Sequence, residues 1–268
     1  MTRSLYAETP YGRLALREAG PHGGIPLVLL QRFRGTMDDW DPGFIELVSA
    51  DRKVIWFDSA GIGRSEGSVP DTIGGMAAVA ATVIERSGSP QADVLGWSLG
   101  GVIAQQLVLD APHLVRRLIV AGSTPGGALD GPKPHPRVPQ VMTRPTNDIE
   151  DFLFLFFPET ETATSAGRAS LTRIGALPGR GPLVTAEAFM TQVKAISTWP
   201  GVLHRADELR LPMLVANGAH DVVLPAYRSY VLSQQAPDAK LILYPDAGHA
   251  FLFQEIESFA AEVERFLS

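Results

Sequence analysis

Apolar residues recur along the chain in short, almost unbroken runs, separated by turns and longer amphipathic stretches. The runs lie at Pro26–Leu30, Val54–Phe57, Val94–Gly96, Leu118–Ala121, Met213–Ala216 and Leu241–Tyr244. Several are apolar at nearly every position instead of every second one, the pattern of strands covered on both faces. Helical spacing fills intervals at Asp41–Ser49, Gly75–Arg86, Leu99–Leu109 and Phe251–Leu267. Strands alternating with helices predict βαβ units and a mostly parallel sheet. Upstream, Leu5–Glu8 and Leu14–Glu18 flank the turn Pro10-Tyr11-Gly12, which predicts an antiparallel hairpin at the sheet edge.

The alternation fails between about Ser123 and Leu209. Pro125, Gly126, Gly127, Gly131, Pro132, Pro134, Pro136, Pro139 and Pro145 are too many breakers for a core element. Helical spacing then returns at Ile149–Phe157 and Ala186–Thr198, and strand order resumes at Leu211. An insertion that leaves a parallel sheet at a strand's carboxyl end sits where such folds bind ligands. The predicted division is a core of residues 1–122 and 210–268 with a lid of residues 123–209. The alternative is an independently folded second domain, for which the segment lacks a strand pattern of its own.

Composition narrows the chemistry. The 268 residues are 45% apolar and 19% charged, which excludes disorder. With Lys+Arg 23 against Asp+Glu 29 the net charge is −6, so the basic footprint of a nucleic-acid binder is lacking. Zero Cys removes thiol nucleophiles, disulfides and Cys-based metal sites. The first residues, Met1-Thr2-Arg3-Ser4-Leu5, do not read as a signal peptide, and no run approaches the ~20 apolar residues of a membrane span. A cytoplasmic protein with no membrane partner is expected.

The strongest motif is Gly96-Trp97-Ser98-Leu99-Gly100-Gly101, placed after the run Asp93-Val94-Leu95 and before an amphipathic segment. G-x-S-x-G in a strand–turn–helix context lifts a serine hydroxyl above the sheet in strained geometry that flanking glycines permit. The helix that follows offers free amides to a developing oxyanion. A serine needs a base, and six His are available. His249, in Gly248-His249 between the last strand and the terminal helix, shares the carboxyl-end rim with Ser98. His113 falls on the opposite rim, His22 and His135 lie in Gly/Pro segments, His204 lacks a fixing turn, and His220 points away from its neighbour Asp221. Asp221, on the turn after Met213–Ala216, offers the carboxylate that would hold the base's tautomer. Asp246 is too close in sequence to His249 for that task, and Asp58, in Asp58-Ser59-Ala60-Gly61-Ile62-Gly63, reads as a structural turn residue. That segment is not a dinucleotide fingerprint.

Ser98, Asp221 and His249, in that chain order and each on its own turn, make the chain resemble the α/β-hydrolase superfamily. Its small esterases, lactonases and cofactor-free haloperoxidase-like members share the Gly-Trp-Ser-Leu-Gly-Gly elbow. The resemblance covers nearly the whole chain. It implies a mostly parallel eight-stranded sheet with helices on both faces plus a helical lid. It also implies a serine hydrolase for a carboxylic ester or lactone, with no metal and no organic cofactor. C–C bond hydrolysis, haloperoxidase-like activity and a non-catalytic ligand-binding role on the same scaffold are the alternatives. The oxyanion amides that the resemblance implies fall on Phe33 and Leu99. Where the superfamily has His-Gly after the first parallel strand, this chain has Gln31-Arg32.

Two readings of Arg32 and Arg34 are open: forked donors for a substrate carboxylate, or ion pairs with Asp38, Asp39 or Asp41. The run Phe152-Leu153-Phe154-Leu155-Phe156-Phe157 is either lid core or, with Trp97 and Met190, the lining of an apolar cavity, Phe154 and Phe157 being the expected lining rings. A small-molecule substrate and a monomer or homodimer complete the expectation.

Overall fold

The unbroken apolar runs become strands buried on both faces. The computed structural model describes residues 2–268. The strands are β1 (Arg3–Thr9), β2 (Gly12–Ala19), β3 (Leu27–Leu30), β4 (Val54–Phe57), β5 (Ala92–Trp97), β6 (Val115–Ala121), β7 (Met213–Gly218) and β8 (Ala239–Tyr244). They form one eight-stranded sheet in the order β1-β2-β4-β3-β5-β6-β7-β8. The hairpin β1–β2 and the β2–β4 pair are antiparallel, and every other pairing is parallel.

Helices α1 (Pro42–Val48), α2 (Ile73–Glu85) and α3 (Leu99–Asp110) follow β3, β4 and β5. Between β6 and β7 the chain forms α4 (Val138–Met142), α5 (Ile149–Phe156), α6 (Glu161–Gly175), α7 (Ala186–Thr198) and a 3-10 turn at Leu203–Glu208. The chain closes with α8 (Tyr227–Gln235), α9 (Phe251–Gln254) and α10 (Ile256–Leu267). The single terminal helix expected over 251–267 is thus broken at Glu255.

Successive strand side chains point to opposite faces. Leu27, Leu29, Trp56, Leu95 and Ile119 face Phe44 of α1 and Phe259 of α10. Val28, Leu30, Ile55, Val94 and Leu118 pack beneath α2 and α3. With both faces covered, no alternation remains to be seen in the sequence. The connections run outward in opposite directions from the β3–β5 pair, so the crevice at the carboxyl ends of these two strands is the topological switch point of the sheet.

Helices α4, α6 and α8 are not expected from spacing: α4 forms among the breakers because Pro139 sits in its first turn, where no backbone N–H is needed. Along α6 the buried positions are Ala163, Gly167 and Ser170, small residues that leave no apolar stripe. A Cβ on Gly167 would lie 2.7 Å from the Phe157 ring, so close approach replaces side-chain bulk. Helix α8 buries only Ser229 and Leu232.

Carboxylates tie the insertion to the core. Asp41, fully buried at the N-cap of α1, accepts from Ser170 Oγ at 2.6 Å and from Arg173 Nη2 at 2.7 Å. Asp38, 1% exposed, accepts from the Gly181 amide at 2.7 Å and pairs with Arg17 at 2.6 Å and Arg64 at 2.8 Å. Burial pushes the Asp38 carboxyl up, but the Gly181 amide and the Arg64 and Arg17 guanidiniums outweigh it and hold it below the ordinary carboxylate range. A folded-state value below the unfolded one stabilises the fold fully above about pH 4, and that stabilisation is lost as pH falls through the folded value. Asp38→Asn is expected to cost roughly 3 kcal/mol at pH 7 in urea unfolding, because the guanidiniums lose their counter-charge. The gap between wild type and variant should narrow from pH 5 to pH 3; a gap that is constant over that range would show that the charge is not what anchors the segment.

Candidate active site

Ser98 stands at the switch point, at the end of β5, with φ 56° and ψ −116°. Positive φ costs a non-glycine residue about 1–3 kcal/mol, so its surroundings must impose the conformation. They do so by backbone contact. The Ser98 amide donates to the Ala121 carbonyl at 2.9 Å, and Ser123 Oγ donates to the Ser98 carbonyl at 2.7 Å. A Cβ on Gly96 would sit 2.2 Å from the Gly100 oxygen, and one on Gly100 only 2.0 Å from the Leu30 oxygen. Glycine spacing in the motif is therefore a packing requirement.

Asp221 lies on the turn after β7. Its Oδ1 accepts from the Val223 and Leu224 amides, each at 2.8 Å, which leaves Oδ2 directed at the loop after β8. In that loop, Trp97 Nε1 donates to the His249 carbonyl at 2.9 Å. The two loops touch through backbone: a Cβ on Gly218 would lie 2.2 Å from the Gly248 oxygen. His249 Nδ1 meets Asp221 Oδ2 at 2.7 Å, and His249 Nε2 meets Ser98 Oγ at 2.9 Å. An ionised carboxylate only accepts, so Nδ1 carries the proton and donates to Asp221. Nε2 of the neutral ring is then the acceptor for the Ser98 hydroxyl. Ser98, Asp221 and His249 are 7%, 5% and 2% exposed, whereas His22, His113, His135, His204 and His220 are all exposed.

The loop after β3 completes the rim. Gln31 braces it, donating from Nε2 to the Thr36 carbonyl at 2.9 Å and accepting from the Arg32 amide at 2.8 Å. The Arg34 amide donates to Gln192 Oε1 at 3.1 Å. Between these two, the Phe33 amide has no acceptor among the described residues. The Leu99 amide opens α3, where a helix has no intrahelical acceptor. Ser98, His249 and Phe33 all border one cavity of about 880 Å³, roofed by α5 and α6.

A family model of the α/β hydrolase fold matches residues 25–256. The chain belongs to the α/β-hydrolase fold family. An α/β-hydrolase fold protein from Chitinophaga pinensis is 34% identical, with 100% of this chain and 98% of that one covered and a TM-score of 0.90. The poly(3-hydroxyalkanoate) depolymerase of Ectopseudomonas oleovorans is 27% identical over 264 residues, 95% of this chain and 88% of the relative. The pimeloyl-[acyl-carrier protein] methyl ester esterase of Pectobacterium atrosepticum is 29% identical over 257 residues, 91% of this chain and 94% of the relative. These relatives support hydrolase activity for this α/β-hydrolase.

The cavity of the α/β-hydrolase collects some expected lining residues and rejects others. Arg32, Trp97 and Phe157 border it. Phe154 does not: its ring packs 5.5 Å from His135 and lies under Arg137 at 4.4 Å, on the far side of α5. Phe152, Leu155 and Phe156 take the place expected of it, a face at i, i+3 and i+4 that the density of the run concealed. Met190 is 61% exposed on the outer face of α7, away from the cavity. Arg34 borders the cavity, yet its guanidinium is spent on the loop between α4 and α5, donating to the carbonyls of Met142, Arg144 and Pro145. Asp38, Asp39 and Asp41 mostly take other arginines, the nearest approach being Arg32 to Asp39 at 3.7 Å.

Gly100→Ala is expected to destabilise the fold by about 1–3 kcal/mol, as overpacking against backbone does. It should also displace the β3 loop. Thermal unfolding gives the first effect and loss of serine reactivity the second; a variant with wild-type stability would refute the close-contact reading of the elbow.

Proposed function

We propose that this α/β-hydrolase is a serine hydrolase that cleaves a carboxylic ester or lactone of a small, partly apolar substrate through an acyl-enzyme. The observation that carries the reading is the unbroken relay Ser98 Oγ–His249 Nε2–Asp221 Oδ2, with contacts of 2.9 and 2.7 Å, at the floor of a cavity. Ser98 Oγ attacks the carbonyl carbon while its proton passes to His249 Nε2. The charge that develops on the carbonyl oxygen is received by the Phe33 and Leu99 amides, which are held in place before the reaction. Collapse breaks the acyl C–O bond, and the leaving alkoxide takes the proton from His249; in a lactone it stays tethered to the acyl group. Water then attacks the ester at Ser98, gives its proton to His249, and the proton returns to Ser98 Oγ as the acid leaves.

Asp221 keeps the His249 proton on Nδ1 and stabilises the imidazolium that forms in each half-reaction. Residues 123–209 act as a lid over a core of residues 1–122 and 210–268, excluding water from the cavity when substrate is bound. An apolar lining of aromatic rings favours an acyl group with hydrocarbon character. The methyl ester esterase among the relatives supports this substrate class.

A fluorophosphonate probe should label the folded wild-type protein at Ser98, and Ser98→Ala should abolish both labelling and aryl-ester turnover. His249→Ala is expected to lower kcat by on the order of 10⁴-fold or more, and Asp221→Asn by about 10⁴-fold, with KM little changed. A panel of aryl esters, lactones and C–C-cleavable diketones assigns the bond. Equal labelling of Ser98→Ala, or turnover retained by His249→Ala, would overturn the assignment.

A further inference from the structure

The cavity wall carries more positive charge than an uncharged substrate needs. Arg32, Arg34, Arg168 and Arg180 border it, against Asp39 and Asp148, in a chain of net charge −6. Three of the four guanidiniums are already matched. Arg34 is spread over backbone carbonyls, Arg168 pairs with Glu150 at 2.7 Å, and Arg180 pairs with Asp39 at 2.8 Å.

Arg32 is the least well matched of the four. Its side chain is 11% exposed and reaches Asp39 only at 3.7 Å. That carboxylate already accepts from the Thr36 amide and from Arg180, each at 2.8 Å. Arg32 Nη1 donates to the neutral Phe33 carbonyl at 2.9 Å, and the buried Nε has no partner. The guanidinium lies over the rings of Trp97, Phe152 and Phe156, with centroids at 5.7, 5.8 and 5.2 Å. These faces attract a cation but do not neutralise it. Burial pulls the Arg32 pKa below the ordinary guanidinium value, with Asp39 opposing and Arg34 and Arg180 adding to the effect. A guanidinium nonetheless stays charged in a protein, so the wall holds a cation whose nearest carboxylate is distant and shared with Arg180.

We infer that Arg32 is the subsite for a substrate carboxylate, so that the acyl donor cleaved at Ser98 carries a second, free carboxylate. The inference deepens the serine-hydrolase reading and rests on it. Two rings beneath the guanidinium, Trp97 and Phe156, each lie 5.9 Å from the His249 imidazole, so the anion site and the reacting centre occupy adjoining walls. A short hydrocarbon linker joins them, and the rings between them supply its apolar surface. A planar carboxylate matches the forked donors of a guanidinium better than a point anion does. Half-esters of straight-chain dicarboxylic acids have this form: carboxylate, methylenes, ester. Hydrolysis adds water across the ester to give the free diacid and the alcohol.

The test compares monomethyl esters of the C4 to C8 dicarboxylic acids with methyl esters of the monocarboxylic acids of matching length. At one or more lengths the half-ester should be favoured by about tenfold or more in kcat/KM, the size of a charge-assisted hydrogen bond, and mostly through KM. Arg32→Leu should erase that preference and Arg32→Lys should restore part of it. A purely structural role would slow both substrate series alike and leave their ratio intact. Calorimetry on Ser98→Ala with the same half-esters reads binding without turnover, and the affinity should weaken with added salt and with Arg32→Leu. Neutral esters turned over at least as well as half-esters at every length, or a preference kept by Arg32→Leu, would overturn the inference while leaving the serine-hydrolase reading intact. Arg32-dependent binding to Ser98→Ala without turnover of any ester by wild type would sustain the carboxylate subsite and remove the hydrolase reading.

Discussion

One imidazole, held at both nitrogens, is the contact on which the rim of the sheet depends. His249 arrives on the loop after β8, yet its two partners stand at the ends of β5 and β7. Only a parallel sheet delivers these turns to one edge, and only close backbone packing brings them within 2.7 and 2.9 Å of the ring. Gly218 against the Gly248 carbonyl and Gly100 against the Leu30 carbonyl leave no room for a side chain. The positive φ of Ser98 is the local cost of this convergence. It is offset by a strand buried along its whole length and by hydrogen bonds from Ser98 to Ala121 and from Ser123 to Ser98.

The roof of the cavity is held by a different kind of force. Asp38, Asp39 and Asp41 lie on one short segment between β3 and α1, and each engages the insertion, through Gly181, Arg180 and both Ser170 and Arg173 respectively. Asp38 and Asp41 are buried, and removing either leaves a guanidinium without its partner. Along α6 itself the buried face is made of small residues, Ala163, Gly167 and Ser170, which bury little apolar bulk. The roof is therefore positioned by directional contacts, which also set the orientation of the arginines that border the cavity.

Much of the fold was legible because local chemistry and burial point the same way. Runs such as Val54–Phe57 are apolar throughout because α-helices cover both faces of the strand. The elbow was legible because a serine at positive φ needs glycines beside it, a nearest-neighbour constraint. His249 stood out among six histidines by its position after a strand, and it is the one that the structure buries. Helix α6 was illegible because its buried face is made of small residues that carry no hydrophobic period, and α8 because it buries so little.

The sequence by itself determined which segments are strands, where the sharp turns fall, and that Ser98, Asp221 and His249 each stand on a turn after a strand. These follow from forces acting within a few residues or from simple burial. Only the tertiary structure decided which arginine meets which acid. Arg173 and Asp41 are 132 residues apart, and Arg34 finds the Met142 carbonyl across 108. Likewise it turned Phe152 and Phe156 inward and Phe154 outward, since six consecutive apolar residues on a helix have no preferred face until something packs against them. Arg32 is the sharpest case. Its place over three aromatic rings, with its nearest carboxylate committed to Arg180, is a consequence of long-range packing that no spacing encodes.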